Sequence, residues 1–512
     1  MSRWSLIEAI QARYARERGG DFQEGPRRVA MVYPSPYRAG MSSLGFQWIH
    51  RVLADAGFAV ERAFLPDDIE AWRKARAPLL TYESLTPVGE FPILGVSLAY
   101  ELELAGLFEV LELSGIPPLR ADRDERHPRV LLGGPITFSN PLPAAPFVDA
   151  MLLGEAEEVV VPAVDASFEQ DRSDWLDTVA GLPGGYVPER HGAALPPVAK
   201  ATDAMLPARS HILTPDTELR DMFLIEGERG CHRQCTFCVM RRSTNGGMRL
   251  VTPERILSFV PEHAKRVGLV GAAISDHPKL VPLLEQIVDS GREVGVSSLR
   301  ADRIALKPRI AEVLRAGGYK TLTVASDAAS QRLRRTIAKG TTEKHLLACA
   351  ELAAKHRYKT LKIYMMVGVP DEREEDLEEL LRFTRELATI HNVSLGIAPF
   401  VAKRNTPLDG EPFAGINEVE RRLKRLHKGL RGTRGEVRPT SARWAWVEYM
   451  LAQHGAAGGL AAHAAWRAGG KFSDYKRAFK ALDESDYRPW VVATPPPGPP
   501  TSGAARPTAS PA

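Results

Sequence analysis

Three cysteines crowd one short loop, and this loop constrains the chain more than any other feature. Cys231, Cys235 and Cys238 are spaced as C-x3-C-x2-C, and Cys349 is the only other cysteine among the 512 residues. Thiolates this close share a metal centre or form a disulfide, and an odd number favours metal because a disulfide would leave one thiol over. Cysteine thiolates at such spacings hold iron–sulfur clusters, normally four per cluster. Three ligands leave one iron of a four-iron cluster open to a substrate or cofactor.

A structural zinc site built from the three cysteines and His232 is the alternative. Zinc sites usually take ligands from two separated pairs of residues, and the sequence has no second pair. His232 also adjoins Cys231, which makes joint tetrahedral ligation awkward. The loop therefore favours iron–sulfur over zinc. Cys349 lies among apolar residues of a predicted helix, where we expect a buried structural thiol.

Size and composition indicate an ordinary globular protein of two to four domains. Hydrophobic residues make up 44% and charged residues 25% of the chain, which is usual for a soluble protein. The net charge of +4 gives no strong electrostatic argument for nucleic acid. We see no secretory signal and no apolar run long enough for a membrane span. Few cysteines without such a signal predict a reducing cytoplasm.

The first two hundred residues alternate apolar runs with helical periodicity. The runs predict strands over 29–33, 60–65, 93–100, 130–132 and 150–153. Repeated strand–helix units of this kind predict a doubly wound parallel sheet, which binds ligands beyond the carboxyl ends of its strands. Gly133, Gly134 and Gly154 fall at those ends, where glycine allows close approach of a ligand. Plain turn chemistry is the alternative for each of them.

The alternation resumes after a linker rich in Pro, Gly and Ala over 183–207. Six strands are predicted, over 223–226, 269–275, 294–299, 321–325, 361–368 and 393–400. Six strand–helix units fit an open, partial (β/α)6 barrel. Barrel sites lie at the carboxyl ends of the strands, and the cysteine loop follows the first strand. This places the metal centre at the mouth of the barrel.

The remaining sequence predicts a small helical region and a tail. A basic run over 421–434 could contact a nucleic acid or an acidic protein, but a solvated helix face is the favoured interpretation. The domains we expect are an α/β domain with its linker over 1–205, the barrel over 206–430, a helical cap on the barrel mouth over 431–490 and a disordered tail over 491–512.

The cysteine loop resembles the signature of radical S-adenosylmethionine (SAM) enzymes. The resemblance rests on C-x3-C-x-(aromatic)-C, with Phe237 as the aromatic. It implies a partial barrel and a [4Fe-4S] cluster on Cys231, Cys235 and Cys238, with SAM chelated through its amino and carboxylate groups by the open iron. It also implies that one electron from the cluster cleaves SAM to methionine and a 5′-deoxyadenosyl radical.

The same resemblance implies SAM contacts at the strand ends. Relatives carry a segment after the second strand that touches the SAM amino group, which makes Ser275 and Asp276 candidates here. An acid after the fourth strand lies near the ribose hydroxyls of SAM, a role that falls to Asp327 beside Ser326. A helix N-terminal acid is the alternative for Asp327. The fifth strand, which ends at Gly368, packs beside the adenine in relatives.

The N-terminal region resembles the cobalamin-binding domain that precedes the radical SAM core in one large class. The resemblance rests on the order of Tyr33-Pro34, 40–45, 95–97, 133–135 and Gly154-Glu155-Ala156-Glu157. The cobalamin-ligating D-x-H-x-x-G motif of many such domains is absent. Cobalamin bound without a lower-axial histidine and a degenerate domain that binds none both stay open.

These resemblances together predict a cytoplasmic radical SAM enzyme that acts on an unknown substrate, either a small molecule or a macromolecule. Cobalamin would favour methyl transfer or ring rearrangement. We expect a reductant such as flavodoxin or ferredoxin, no membrane and no nucleic acid partner. Methylthiotransfer to RNA or protein is an alternative, against which stands the lack of any cysteine before Cys231. A non-enzymatic zinc or iron–sulfur interaction protein is the other.

Overall fold

A computed structural model describes residues 3–240 and 247–482. This part of the chain consists of two β-sheet units followed by three helices. The predicted α/β class is confirmed, with a six-stranded sheet in the first half and mainly parallel barrel strands in the second. The predicted tail over 491–512 lies outside the described residues. Among the described residues, no helix is both long and apolar enough to cross a membrane.

The first unit is a sheet with helices on both faces. Its strands are β1 (Arg28–Pro36), β2 (Ala59–Leu65), β3 (Ile93–Ser97), β4 (Arg129–Gly133), β5 (Ala150–Leu152) and β6 (Gly185–Tyr186). Their order across the sheet is β2-β1-β3-β4-β5-β6, and all pairs are parallel except β5 with β6. The doubly wound prediction is therefore confirmed. The order reverses between β1 and β3, which is where open sheets of this kind form a ligand crevice.

Alternate residues of these strands contribute side chains to two separate apolar cores, one on each face of the sheet. Val32 and Leu94 lie in one core, whereas Met31 and Ile93 lie in the other. Burial on both faces explains why the strands appear in the sequence as continuous apolar runs. The covering helices are α1 (Arg3–Tyr14), α2 (Tyr37–Gly40), α3 (Leu44–Asp55), α4 (Ile69–Ala75), α5 (Leu104–Leu113), α6 (Val160–Glu169), α7 (Arg172–Gly181) and α8 (Pro188–His191).

The second unit is an open barrel of parallel strands with helices outside. A small antiparallel hairpin, β8 (Glu228–Cys231) and β9 (Gly247–Leu250), follows its first strand. The barrel strands are β7 (Met222–Glu226), β10 (Arg266–Val270), β11 (Glu293–Val296), β12 (Thr321–Ala325), β13 (Thr360–Val367), β14 (Val393–Pro399) and β15 (Gly435–Pro439). They run in the order β7-β10-β11 and β12-β13-β14-β15, joined by a parallel bridge between Leu299 and Val324.

Among the residues that the structure describes, eight helices cover the outside of the barrel. They are α9 (Pro253–Ser258), α10 (Leu280–Asp289), α11 (Ala301–Leu306), α12 (Arg309–Ala316), α13 (Gln331–Thr336), α14 (Glu343–Lys355), α15 (Glu374–Ile390) and α16 (Ile416–Gly429). The basic run lies on α16 and along the acidic α15. Arg421 and Arg425 both pair with Glu374, and Arg422 pairs with the buried Glu372. These contacts neutralise part of the positive charge that the sequence displays.

The structure departs from the predicted barrel in two places. Residues 435–439, which we placed in the helical cap, form a seventh parallel strand, β15, beside β14. Its sequence hides it, because it is short and charged and only Val437 is buried. The second predicted strand, over 269–275, ends at Val270, and Ile274–Asp276 form a turn of 3-10 helix.

The last three helices are α17 (Ala442–Gln453), α18 (Ala456–Arg467) and α19 (Phe472–Lys480). Their apolar side chains share one core with Phe108 and Phe147 of the first unit. Asn140 of the first unit also caps α17, because its side-chain nitrogen donates to the carbonyls of Leu451, Ala452 and His454 at 2.8–3.2 Å. The main apolar partner of these helices is therefore the first unit, and not the barrel mouth that we expected.

Replacing Asn140 tests this attachment. Asn140→Ala leaves the terminal carbonyls of α17 buried without their donor, so the free energy of unfolding should fall by about 1–3 kcal/mol. Asn392→Ala is the matched control, since the side chain of Asn392 makes one exposed contact with the Lys359 carbonyl. Urea denaturation of both variants measures the difference. Equal stability of the two variants would contradict the capping role.

Candidate active site

The cysteine loop begins in the β8–β9 hairpin, which follows the carboxyl end of β7. Cys231 is the last residue of β8 and lies opposite Gly247. Gly230 before it has φ +87°, a conformation that favours glycine. The loop is held from the other side by the end of α13, because the Thr236 N–H donates to the Ile337 carbonyl at 3.1 Å. The sequence predicted the loop but not the hairpin that carries it.

The three thiols lie in a sheltered, mutually interacting group. Cys235 is buried, and Cys231 and Cys238 are half-buried. Burial raises the pKa of the Cys235 and Cys238 thiols, and a thiolate at either neighbouring cysteine would raise the pKa of Cys238 further. Lys339 and Arg300 act in the opposite direction on Cys235. Because a metal binds thiolates, loading this loop must release protons.

No group of three or more His, Cys, Asp or Glu side chains in the described ranges is arranged to hold a single metal ion. All four cysteines are free thiols. Cys349 is fully buried in α14, as expected for a structural thiol, and burial raises its pKa. The cysteines available for a shared centre are therefore the three on the loop.

Asp276 anchors the cysteine loop to the carboxyl end of β10. Its fully buried carboxylate accepts two hydrogen bonds from Arg233 at 2.8 and 2.9 Å and another from Arg303. Burial by itself would raise the pKa of this carboxyl, but the hydrogen bonds outweigh it and lower the pKa to about 2. Ser275 accepts a hydrogen bond from the Arg300 N–H. The predicted SAM contacts at 275 and 276 thus lie beside the loop, with the Asp276 carboxylate occupied by arginines.

Glu228 is a buried acid next to this anchor. One carboxylate oxygen accepts from the Ala273 N–H at 2.6 Å and packs on Gly271, where a Cβ would stand 2.3 Å away. The other oxygen is buried and has no partner among the described residues. Burial, reinforced by the charges of Glu226 and Asp276, raises the pKa of Glu228 to about 7. Residue 271 is therefore a glycine because a side chain there would collide with the Glu228 carboxylate.

Asp327 and Ser326 extend the pairing of β12 with β13. Both backbone N–H groups donate to the Tyr364 carbonyl, at 3.1 and 2.9 Å. Asp327 has φ +61° and forms an ion pair with Lys339, which follows the segment that touches the cysteine loop. The acid predicted to lie near the ribose is thus at the barrel mouth, on the side of the cysteine loop.

The other two predicted contacts occupy the same end of the barrel. Gly368, directly after β13, has φ +81° and donates its N–H to Glu372 at 2.6 Å. Phe237 is half-buried and packs on the barrel core. The roles of these residues toward SAM stay predictions, as do those of Ser275, Asp276, Ser326 and Asp327.

An ion network joins the cysteine hairpin to the first unit. Arg229, two residues before Cys231, donates to Glu226 at 2.7 and 2.9 Å and contacts Glu157 at 2.7 Å and Glu155 at 3.4 Å. Arg249 on β9 binds the same Glu155. All five side chains are nearly buried. Sequence analysis missed this link. Its one visible signal was the acid pair Glu155 and Glu157, which comes soon after the end of β5.

The first unit holds a pocket of about 280 Å³ at the carboxyl ends of its strands. Gly133, Gly134 and Gly154, the candidate ligand contacts, line it together with Arg229 and Met240 on the cysteine side, and their role toward a ligand stays a prediction. The lining is predominantly apolar.

Two features of this pocket suit a bound group. At Gly45, which also lines it, an added Cβ would meet nothing within 4 Å. The Trp48 indole nitrogen is buried and has no partner among the described residues, so it is available to an acceptor on a ligand. The pocket is small beside a whole corrin, so it would hold only one part of such a ligand.

Comparison with known families assigns both units. The family described as "Radical SAM proteins, N-terminal" matches residues 45–188, and the "Radical SAM superfamily" matches residues 225–384. The second match begins in β7 and includes the cysteine loop. The chain therefore belongs to the radical SAM superfamily and is an enzyme of that class, which sets aside the non-enzymatic interpretation.

Two curated relatives and one solved structure extend this result. An uncharacterized protein of Methanocaldococcus jannaschii is 26% identical over 423 residues, 79% of this chain and 85% of the relative. An uncharacterized methyltransferase of Pyrococcus horikoshii is 23% identical over 271 residues, 50% of this chain and 58% of the relative. The cobalamin-dependent SAM radical enzyme OxsB, solved with aqua-cobalamin bound, shares the fold with a TM-score of 0.50 at 16% identity. The match covers 70% of this chain and about half (52%) of OxsB.

Glu157→Gln tests the link between the units. The change removes the charge that Arg229 contacts most closely in the first unit, so the unfolding free energy should fall by about 1–3 kcal/mol. We also expect weaker iron retention, because the hairpin that carries Cys231 loses an anchor. Glu158→Gln is the control, since Glu158 is exposed and its carboxylate accepts hydrogen bonds from Thr202 alone among the described residues. Iron per chain after gel filtration and thermal unfolding are the measurements, and indistinguishable variants would contradict the anchoring role.

Glu228→Gln tests the buried acid through its pH dependence. A pKa of about 7 in the folded chain, against an ordinary value near 4.5, means that the folded state holds this proton more tightly. Wild-type stability should then fall, relative to the variant, as pH rises from about 4.5 to about 7, by up to about 3 kcal/mol. Denaturation at pH 5 and pH 8 measures the gap, with exposed Glu262→Gln as control. A gap that does not change with pH would contradict the assignment.

Proposed function

We propose that Cys231, Cys235 and Cys238 hold a [4Fe-4S] cluster at which the enzyme reductively cleaves SAM to begin radical chemistry on a substrate not yet identified. The observation that carries the proposal is the three-thiol loop at the carboxyl end of the first strand of a partial barrel, within the matched superfamily region. The cluster would supply the single electron that splits SAM into methionine and a 5′-deoxyadenosyl radical. The protein would bind, orient and shield the reactants.

The charges around the loop suit this role. Three thiolates carry three negative charges, and the positive charges of Lys339 and Arg300 favour the thiolate form of Cys235. Arg233 fixes the loop by its double contact with Asp276. These side chains would hold the loop open to a fourth ligand while offsetting its charge.

We further propose cobalamin as a second cofactor, held at the carboxyl edge of the first unit. Support comes from the pocket, from the orphan Trp48 donor inside it and from the strand order of the sheet. The cobalamin-dependent enzyme OxsB, which shares the fold, supports cobalamin as the cofactor, and the relative named a methyltransferase supports methyl transfer as the reaction class. Bound cobalamin would carry the methyl group, and Gly45, Gly133 and Trp48 would form part of its binding surface.

The electron donor and the cellular compartment are also proposals. A small electron carrier such as flavodoxin or ferredoxin would deliver the electron. A reducing cytoplasm would keep the three thiols available for iron. Methylthiotransfer is the less favoured alternative, because it calls for a second cluster on N-terminal cysteines that this sequence does not have.

SAM cleavage is tested by anaerobic reconstitution with iron and sulfide, followed by SAM and dithionite. We expect 5′-deoxyadenosine from the wild type, a loss of at least a hundredfold in Cys235→Ala, and retention in Cys349→Ala. The last variant is the matched control, since its thiol is buried in α14 away from the loop. Zinc in place of iron, or equal product from Cys235→Ala, would refute the proposal.

Cobalamin binding is tested separately by absorbance titration with hydroxocobalamin. Gly45→Leu should fill the pocket and weaken binding at least tenfold. Gly181→Leu is the control, because it also adds a side chain to a helical glycine that has open space around it, but outside the pocket. Equal binding by both variants, or no binding by the wild type, would contradict the cobalamin proposal and leave SAM cleavage untouched.

A further inference from the structure

The concave face of the barrel differs from the packed interior of a closed barrel. Along β13, Leu361, Ile363 and Met365 belong to the apolar core that the strands share with the outer helices. The alternate residues, Lys362 and Tyr364, therefore point to the concave side. Closed barrels fill this side with bulky branched residues.

Here the concave face is polar or small at most positions on three neighbouring strands. Its residues on β12, β13 and β14 include Thr323, Lys362, Tyr364, Ser394, Gly396 and Ala398. Tyr364 is 41% exposed, although it stands in the middle of a barrel strand. Its ring packs on Gly396, where a Cβ would stand 2.9 Å from it. The face is thus an accessible hollow and not a packed core.

Hydrogen-bond donors converge in this hollow. The Lys362 ammonium donates to the Tyr364 hydroxyl at 2.9 Å and lies 4.5 Å from the centre of its ring. Ser394 is the register neighbour of Lys362 on β14. Its hydroxyl is buried and has no partner among the described residues. Three polar side chains on two adjacent strands therefore meet here. They can donate hydrogen bonds to an acceptor that the described residues do not supply.

The charge balance of the face leaves one cation over. Two carboxylates, on β15 and β11, are already paired, Glu436 with Arg438 and Glu293 with Arg266. Within the ranges that the structure describes, Lys362 has no carboxylate within 4.0 Å. A positive charge beside a phenol and a serine hydroxyl complements an oxyanion.

We propose that this hollow binds the oxyanion, a carboxylate or a phosphate, of the enzyme's substrate, with Lys362, Tyr364 and Ser394 as its recognition residues. The inference rests on the proposed function for the position of the reacting end at the barrel mouth. Tyr364 lies four residues before Gly368, which is about 13 Å along the strand. The substrate is therefore an elongated molecule with its anionic group about that far from the reacting carbon.

Protection of Lys362 from chemical labelling tests the site. The reconstituted protein is acetylated with sulfo-N-hydroxysuccinimidyl acetate in chloride, acetate or phosphate at equal ionic strength, and peptide mass spectrometry follows Lys362 and Lys359. Lys359 is the internal control, since it precedes β13 and lies outside the hollow. We expect acetate or phosphate to slow labelling of Lys362 at least threefold and to leave Lys359 unchanged. Protection by acetate alone indicates a carboxylate, and protection by phosphate alone indicates a phosphoryl group.

Tyr364→Phe provides the second arm, because it removes one donor and keeps the ring. Protection of Lys362 should fall at least twofold in this variant. Labelling of Lys362 that neither anion slows relative to chloride, or protection that Lys359 shares equally, would overturn the proposal. The labelling assay does not depend on SAM cleavage. A protein that makes 5′-deoxyadenosine without anion protection would therefore refute the substrate inference alone.

Discussion

The buried contact of Arg229 with the acids of the first unit sets the geometry on which the rest of the site depends. Arg229 stands two residues before the first cysteine, and its partners Glu155 and Glu157 follow the last parallel strand of the other sheet. Arginine matches several carboxylates at once through its planar fork of donors. Breaking one such buried contact leaves a charge short of a partner, at a cost of about 1–3 kcal/mol here because Arg229 keeps its other carboxylates. The cysteine hairpin is therefore fixed to the pocket-bearing unit.

The acid pair after β5 has two roles. Glu155 and Glu157 line the pocket and also hold the hairpin through Arg229. A group bound at the pocket would touch the loop that positions Cys231. Between the first two cysteines, Asp276 holds Arg233. The cysteine loop is thus held by ion pairs to both units, before Cys231 to the first unit and after it to the second.

Local patterns in the sequence were enough for the sheet of the first unit, for most barrel strands and for the position of the cysteine loop. Long-range contacts were not visible in it. The strand β15 carries only one buried apolar residue, so no periodicity marks it. The link from Arg229 to Glu157 joins residues 72 positions apart, and neither residue type signals its partner. The docking of the last helices on Phe108 and Phe147 likewise depends on tertiary packing that no local pattern encodes.

The most direct test of the account is the electron paramagnetic resonance spectrum of the reduced, reconstituted protein, recorded with and without SAM. An open iron held by only three cysteines predicts the signal of a [4Fe-4S]⁺ cluster whose g values shift when SAM is added. Cys349→Ala should give the same spectra. A cluster signal that SAM leaves unchanged, or a protein that binds zinc and shows no such signal, would contradict a radical SAM centre on Cys231, Cys235 and Cys238.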